Sequence, residues 1–215
     1  MTDRTADLAA EQRGHWQRTY RDHPDMYGTG PSDPARYAAS RFPAGARVVD
    51  LGAGHGRDSL FFARRGFAVT ALDFSAEGLD QLRRHAAAEG LDVTALAHDV
   101  RDPLPLADGS ADAVYAHMLL CMALTTAQLH ALVAEIRRVL VPGGVFVYTV
   151  RHTGDAHYGV GTAHGDDIYE TGGFAVHFFD RPLVDDLAAD WTLEEVLAFE
   201  EGELPSRLWR VTQVR

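Results

Sequence analysis

A buried strand that runs directly into a glycine-rich turn constrains this chain more than any other feature. Val48–Leu51 has the apolar pattern of a buried strand, and Gly52–Gly56 follows it before a helical pattern begins. Gly52 permits a tight turn, and Gly54 lets the backbone approach a ligand closely because it carries no Cβ. A strand, a G-x-G-x-G turn and a helix in this order predict a ligand site at the edge of a parallel sheet.

Strand and helix patterns alternate through the middle of the chain. Thr125 and Gln128 form a capping-box pattern that opens the helix before the fifth strand. Such alternation predicts an α/β fold with parallel strands, right-handed crossovers and helices on both faces. Its length of 215 residues suits a single domain. The five predicted strands cover residues 47–51, 67–72, 93–97, 113–116 and 145–150.

The flanking segments divide the predicted domain further. Residues 1–40 are expected to form an N-terminal helical cap or lid, and residues 44–150 the ligand-binding core. Residues 151–179 form a predicted insertion, of which 151–173 are polar, glycine-rich and without periodicity. Residues 180–215 are expected to form a final helix that begins at Asp180, followed by a hairpin.

Composition excludes several classes of protein. The formal net charge of −11, from 20 basic and 31 acidic residues, argues against broad nucleic-acid binding. The longest apolar runs are too short to cross a bilayer, so no membrane partner is expected. Met1–Arg4 lacks the layout of a signal peptide, and the single cysteine, Cys121, suits a reducing compartment. We therefore expect a cytoplasmic protein.

Two acidic residues stand where predicted strands end. Asp73 ends the second strand, where a carboxylate accepts bonds from ribose hydroxyls, and Asp99 ends the third, where it can accept a bond from an adenine amine. A nicotinamide-dependent oxidoreductase would share the first feature. The G-x-G-x-G spacing, Asp99 and the lack of a sizeable second domain make that alternative the less favoured one.

Taken in order, these motifs resemble the class I S-adenosylmethionine-dependent methyltransferases. The resemblance covers about residues 40–150. It implies a Rossmann-like, seven-stranded, mostly parallel sheet of order 3-2-1-4-5-7-6, in which the last hairpin supplies one antiparallel strand. The flanks are similar to the tellurite-resistance-type small-molecule methyltransferases, through Trp16-x-x-x-Tyr20, Tyr27-Gly28 and Gly56–Ser59. The motifs that carry the class-level resemblance are Asp50–Gly56, Asp73–Ser75, Asp99–Val100, Ala111–Val114 and Leu140–Gly144.

This resemblance implies S-adenosylmethionine as cofactor and methyl transfer to a small-molecule nucleophile, namely a thiol, a chalcogen oxyanion or a nitrogen or oxygen group. It places Asp50 at the cofactor's ammonium group, Asp73 at its ribose, Phe74 and Asp99 at its adenine, and His117 beside the methionyl group and the substrate. Tyr20 and Tyr27 are expected either as aromatic walls over the sulfonium or as packing of the cap. The implied cofactor-binding residues are Asp50, Gly52, Ala53, Gly54, Gly56, Asp73, Phe74, Asp99, Val100, His117, Tyr20 and Tyr27.

A histidine-rich segment follows the fifth strand, at the sheet edge where such folds bind ligands. Four of the chain's eleven histidines lie within residues 152–177. Imidazole titrates near neutral pH and can take a proton from a nucleophile, so at least two of the four are expected to line the substrate pocket. The candidate catalytic residues are His152, His157, His164, His177 and Tyr158.

Two other interpretations of this segment remain open. It can be a structural loop whose histidines are surface or capping groups. It can also hold a divalent metal, which would make the enzyme a metal-dependent methyltransferase, although the spacings match no tight ligand motif and a metal is not expected. The metal-ligand candidates are His152, His157, His164 and Asp166.

Overall fold

The computed structural model describes residues 2–23, 26, 28, 30–202 and 206–215, with side chains from Leu8 onward. Within these ranges the helices are α1 (Thr2–Asp22), α2 (Asp33–Arg41), α3 (Arg57–Arg64), α4 (Ala76–Glu89), α5 (Thr126–Val139) and α6 (Arg181–Leu187). The strands are β1 (Arg47–Leu51), β2 (Ala68–Asp73), β3 (Val93–Ala97), β4 (Ala111–His117), β5 (Leu140–Arg151), β6 (Thr162–Gly165), β7 (Ile168–Thr171), β8 (Phe174–His177), β9 (Thr192–Glu201) and β10 (Ser206–Val214).

Seven of these strands form one sheet in the order β3-β2-β1-β4-β5-β10-β9. Strands β1 to β5 are mutually parallel, whereas β10 runs antiparallel to both β5 and β9. Because β9 and β10 are the sixth and seventh strands of this sheet along the chain, the order is 3-2-1-4-5-7-6 with one antiparallel strand. The predicted fold class is confirmed.

Apolar side chains cover both faces of the sheet. On one face, α5 and α6 bury residues such as Leu129, Ile136 and Val184 against β4 and β5. On the other face, Ala38 of α2 and Phe62 of α3 pack against β1, β4 and β5. Burial on both faces fixes the sheet between two helical layers. Because β1 to β5 are parallel, their carboxyl ends meet at one edge of the sheet.

Local capping explains where the helices near this edge begin. Ser75 accepts a bond from the backbone of Gly78 and starts α4, and Thr125 and Gln128 form the predicted capping box of α5. Asp180 caps α6 as expected, with Pro182 in its first turn. Among the described residues, no helix is both long enough and apolar enough to cross a bilayer.

The segment after β5 is more regular than the sequence indicated. Residues 151–173 were expected to lack regular structure, but they contain β6 and β7, which join β8 in a three-stranded antiparallel sheet. Asp166 and Asp167 both adopt positive φ between β6 and β7, and Gly172 and Gly173 do so between β7 and β8. The Gly-Gly pair is a recognised hairpin signal, whereas an Asp-Asp pair with positive φ is rare.

Strand β5 also begins earlier than predicted. The Pro142-Gly143-Gly144 segment was expected to be a turn before a strand at 145–150, yet β5 starts at Leu140. Its glycines exchange backbone bonds with the end of the chain: Gly143 donates to the Arg215 carbonyl, and Arg215 donates to the Gly144 carbonyl. Pairing with Arg215, 71 positions away in the sequence, is invisible to local patterns.

Candidate functional site

A cavity of about 490 Å³ lies at the carboxyl ends of β1, β2 and β4. This volume is in the range of sites that hold small ligands. Its walls come from helix α1 and Met26 beyond it, the turns after β1 and β2, the start of α3, the segment after β4, the start of β8, and the β9–β10 hairpin. The lining residues are Trp16, Tyr20, Met26, Asp50, Gly52, Ala53, His55, Arg57, Asp58, Asp73, Phe74, His117, Met118, Leu119, Met122, Phe174, Glu201, Gly202, Ser206 and Leu208.

The glycine-rich turn forms the floor of this cavity. The backbone N–H groups of Gly52 and Ala53 donate to the Leu72 carbonyl, which holds the turn against the end of β2. Gly54 has φ +55°, and a Cβ placed there would lie 2.3 Å from the Tyr20 hydroxyl oxygen. Only glycine therefore fits at Gly54 without displacing Tyr20.

Asp73 is held beside this turn by two backbone groups. Its carboxylate accepts bonds from the N–H of Gly54 at 2.8 Å and of Ser75 at 2.7 Å. Burial raises the pKa of Asp73 to about 6, although both bonds oppose the shift. The carboxylate lines the cavity next to Phe74, so a ligand hydroxyl and an aromatic ring can be bound side by side.

Asp50 lies deeper in the same wall. The Ser59 hydroxyl donates to Asp50 Oδ2 at 2.5 Å. Burial raises the pKa of Asp50 to about 8, and the charges of Asp58 and Asp73 add to this shift. A buried carboxyl group of this kind is suited to a cationic ligand, whose charge would favour the ionised form.

A buried hydrogen-bond network beside Asp50 was not predicted from sequence. Asp58 accepts bonds from the backbone N–H and the hydroxyl of Ser32, each at 2.8 Å, and from the Tyr115 hydroxyl at 3.2 Å. Ser32 also caps α2. The network ties α2, α3 and β4 together directly below the cavity, and its members are separated by 26 to 83 positions in the sequence.

Two residues expected at the adenine do not line the cavity. Asp99 is bonded to Arg13 of α1 at 2.5 Å and to Arg101 at 3.1 Å, and these cations cover its carboxylate. Val100 is buried in the core. Gly56 faces away as well, because a Cβ there would meet the side chain of Leu82 at 2.3 Å.

The remaining cofactor candidates divide as follows. Asp50, Gly52, Ala53, Asp73, Phe74, His117 and Tyr20 all line the cavity. Gly54 supports its floor through the contact with Asp73. Tyr27 lies outside the described residues.

None of the four clustered histidines is among the cavity-lining residues. His152 stacks on Trp209 with ring centroids 4.8 Å apart. His177 is buried, and its Nδ1 lies 2.6 Å from the Leu124 carbonyl. Burial lowers the pKa of both imidazoles. Both rings are thus occupied by contacts that stabilise the fold.

The other two histidines are held near the surface. His157 Nδ1 accepts a bond from Arg151 at 2.8 Å, and His164 Nε2 lies 2.7 Å from Glu170 in the small sheet. Tyr158 donates its hydroxyl hydrogen to Asp167. The expectation was that at least two of these histidines line the substrate pocket, but none of the four lines this cavity. His164 and His177 belong to the small sheet β6–β8, whereas His152 and His157 lie between β5 and β6 and contact Trp209 and Arg151.

The metal-ligand candidates do not converge either. Across the described part of the chain, no group of three or more histidine, cysteine, aspartate or glutamate residues is placed to hold a metal ion. Asp166 instead accepts a bond from the backbone N–H of Thr126 at the start of α5.

The substrate side of the cavity contains residues that sequence patterns did not indicate. Glu201, Gly202, Ser206 and Leu208 come from the β9–β10 hairpin, more than 80 positions after His117. Their place follows from the pairing of β10 with β5, which brings the hairpin to the end of β4. His55 of the glycine-rich turn also lines the cavity.

Comparison with known proteins finds a family match in the core of the chain. Residues 48–144 match a family described as a methyltransferase domain. The chain is 39% identical over 113 residues to dimethylglycine N-methyltransferase from Parasynechococcus marenigrum, a match that covers 52% of this chain and 39% of that protein. The matches cover less than half the length of the first curated relatives.

Solved structures share the fold over nearly the whole chain. The 1,6-didemethyltoxoflavin-N1-methyltransferase of Burkholderia thailandensis, solved with bound 1,6-didemethyltoxoflavin and S-adenosylhomocysteine, has a TM-score of 0.75 at 21% identity, with 98% of this chain and 89% of that chain covered. TehB from Haemophilus influenzae has a TM-score of 0.69 at 15% identity, covering 93% and 67%. At these identities the likeness shows the fold alone.

Proposed function

Because the chain carries a class I S-adenosylmethionine-dependent methyltransferase domain, we propose that the protein transfers a methyl group from S-adenosylmethionine to a small-molecule nucleophile. The acceptor is a thiol, a chalcogen oxyanion, or a nitrogen or oxygen group. The observation that carries this proposal is one continuous cavity. It joins the Gly52–Ala53 turn and the carboxyl groups of Asp50 and Asp73 to a substrate-side wall at His117. Donor and acceptor can meet there in a fixed orientation with little water.

The residues present suit the cofactor. Asp73 would hold the ribose, Asp50 the ammonium group, and the Gly52–Ala53 backbone the methionine half. When bound, S-adenosylmethionine supplies an electrophilic methyl carbon on a sulfonium sulfur. The tasks left to the chain are to orient the nucleophile in line with that carbon and to let its proton leave.

In this proposal helix α1 acts as a lid over the cavity. Trp16 and Tyr20 line the cavity, and Arg13 bonds to Asp99, the residue implied to hold the adenine amine. Gln17 accepts bonds from the Ser75 hydroxyl and the Glu77 N–H, so α1 rests on the cofactor edge of the sheet. For Asp99 to take the adenine, Arg13 must release it. We therefore expect α1 to move when the cofactor binds.

In this proposal the histidine-rich segment supports the substrate-side wall of the cavity. Phe174, at the start of β8, lines the cavity, and His177 at the end of the same strand is anchored to the Leu124 carbonyl. The narrower resemblance to tellurite-resistance-type methyltransferases makes a chalcogen oxyanion one candidate for the acceptor. A small molecule is favoured over a nucleic acid because the cavity is lined by the acidic side chains of Asp50, Asp58, Asp73 and Glu201, which repel phosphates.

Calorimetry with S-adenosylhomocysteine tests the proposal. The wild-type protein should bind this product, and NAD should not bind. Asp73→Ala should weaken binding by about 1.5–3 kcal/mol, roughly 10- to 100-fold, because a charged acceptor for the ribose is lost. Asp80→Ala is the matched control, since Asp80 is exposed and pairs with Arg83 on α4. Unchanged affinity in Asp73→Ala, or equal binding of NAD, would reject the assignment.

A further inference from the structure

The substrate side of the cavity contains one carboxylate with a fixed hydrogen-bond donor. Glu201 ends β9 and lines the cavity, and its Oε2 lies 3.4 Å from His117 Nε2 at the end of β4. The His117 side chain is only 13% exposed, whereas that of Glu201 is 36% exposed. His117 therefore forms the rigid base of the pair, and Glu201 is the member that a ligand can reach.

The bonds around Thr149 determine how His117 presents its hydrogen. Thr149 is fully buried, and its hydroxyl oxygen accepts a bond from the Met118 N–H at 2.9 Å. The same oxygen lies 2.8 Å from His117 Nδ1. The simplest arrangement has the hydroxyl hydrogen donated to Nδ1, which leaves the ring hydrogen on Nε2, directed at Glu201.

This arrangement favours a negative charge on Glu201. Burial opposes ionisation, but the hydrogen bond and electrostatic attraction of His117 and the positive charge of Arg57 outweigh it, so the pKa of Glu201 lies below its usual value. A carboxylate accepts hydrogens at both oxygens, so Glu201 can bind a ligand N–H or O–H while it is held by His117.

Other groups around the pair add to the negative character of the wall. Asp58 lines the same cavity, with Arg57 at 3.8 Å as a partial counter-charge. The remaining surface on this side is apolar and comes from Met118, Met122 and Leu208. A ligand that suits the wall has an apolar body and a hydrogen-bearing polar group, with no negative charge of its own.

This inference rests on the proposed function. We propose that Glu201 selects acceptors that carry hydrogen on the reacting atom, namely amines and hydroxyl compounds. It disfavours anionic acceptors such as chalcogen oxyanions. The physical reason is the sign of the charge that develops on the acceptor during methyl transfer. The methyl carbon leaves the sulfonium sulfur, which becomes the neutral thioether of S-adenosylhomocysteine, and bonds to a neutral nucleophile. Positive charge develops on that nucleophile until its proton passes to Glu201 or to water. A carboxylate fixed beside it stabilises that charge, whereas it repels an oxyanion before any reaction. His117 acts as a positioning residue for Glu201.

Binding of two matched probes to the protein saturated with S-adenosylhomocysteine tests this inference. Benzylamine and benzoate have similar size and an apolar ring, and calorimetry gives both affinities. The wild-type protein should prefer benzylamine by about 10-fold or more, because like charges placed together are disfavoured. In Glu201→Gln, which keeps the shape and an acceptor for His117, the preference should fall towards one.

Glu200→Gln serves as the control, since Glu200 is the neighbouring residue on β9 and pairs with exposed Arg207. It should retain the wild-type preference. Equal affinities or a benzoate preference in the wild-type protein would overturn the inference, as would an unchanged preference in Glu201→Gln. Even if that variant fails to fold, the wild-type comparison can still overturn the inference. Failure of S-adenosylhomocysteine to bind would instead reject the proposed function itself.

Discussion

Alanine substitutions at Gly54 and Gly45 distinguish the effect of backbone strain on stability from an effect on ligand binding in the cavity. Both have positive φ, +55° and +69°, but a Cβ at Gly45 meets open space, whereas one at Gly54 meets Tyr20. Each substitution by alanine should destabilise the fold by roughly 1–2 kcal/mol. Only Gly54→Ala should also weaken S-adenosylhomocysteine binding, by about 10-fold or 1.4 kcal/mol. Equal calorimetric affinities in the two variants would contradict a role for this turn in binding.

Asp50 should make cofactor binding depend on pH. Its pKa is raised to about 8, so in the free protein most of it is protonated at pH 7. A cationic ammonium group favours the ionised form, so the affinity for S-adenosylhomocysteine should rise from pH 6 to pH 8, by at most about tenfold per unit. Binding at pH 7 should release a proton, which calorimetry in buffers of different ionisation enthalpy detects. Asp50→Asn should bind more weakly and without this dependence; a flat profile in the wild-type protein would count against the assigned role.

At the scale of elements, α1 should become more protected when the cofactor site is filled. The helix contacts the core through polar bonds, such as those from Gln81 to the Tyr20 carbonyl and from Arg13 to Asp99. Exposed ion pairs contribute only about 0–1 kcal/mol, so α1 should open locally more often than α5, which packs in the core. Hydrogen exchange in residues 10–23 should slow on addition of S-adenosylhomocysteine, with α5 as the internal reference. Equal exchange with and without ligand would show α1 to be ordinary packing.

The junction of β5 with the insertion depends on a buried ion pair. Arg151 and Asp155 are bonded at 2.6 Å with side chains 8% and 1% exposed. Burial opposes ionisation of Asp155, but the bonds from Arg151 and from the His157 and Arg207 backbones lower its pKa to about 2. A lowered pKa stabilises the fold above the unfolded value of about 3.9, and this contribution disappears as the pH falls through 2.

Asp155→Asn should therefore lower the free energy of unfolding by at least about 2 kcal/mol at pH 6. Near pH 3 the difference from wild type should shrink to about half, because the carboxylate is then partly protonated in the unfolded chain. Asp185→Asn is a matched control, since Arg181 and Asp185 form an exposed pair with the same spacing. Urea unfolding at both pH values measures the difference, and an equal effect of the two variants would contradict the importance of burial.

At the scale of the whole molecule, the parts predictable from sequence are those with local signals. Asp73 and the Gly52–Gly56 turn could be predicted because each depends on a strand and a turn that are contiguous in the chain, whereas the strand order was implied by the family resemblance. The position of Glu201 could not be predicted, since no local pattern shows that the end of β9 reaches the cavity. The four histidines of residues 152–177 do not line the cavity, and their density in the sequence does not show which way their side chains face.

Gln12 bonds helix α1 to the small sheet formed by β6, β7 and β8. Its side-chain amide donates to the Gly173 carbonyl at 2.9 Å and accepts from the Ala175 N–H at 3.2 Å, so α1 is bonded to the small sheet as well as to the cofactor edge. One helix thereby contacts both the cofactor edge of the cavity and the small sheet that contributes Phe174 to its wall. We expect the two ligands to share a single gate, so that the methylated product leaves and the spent cofactor is exchanged during the same opening, and steady-state kinetics should show an ordered rather than a random sequence of addition.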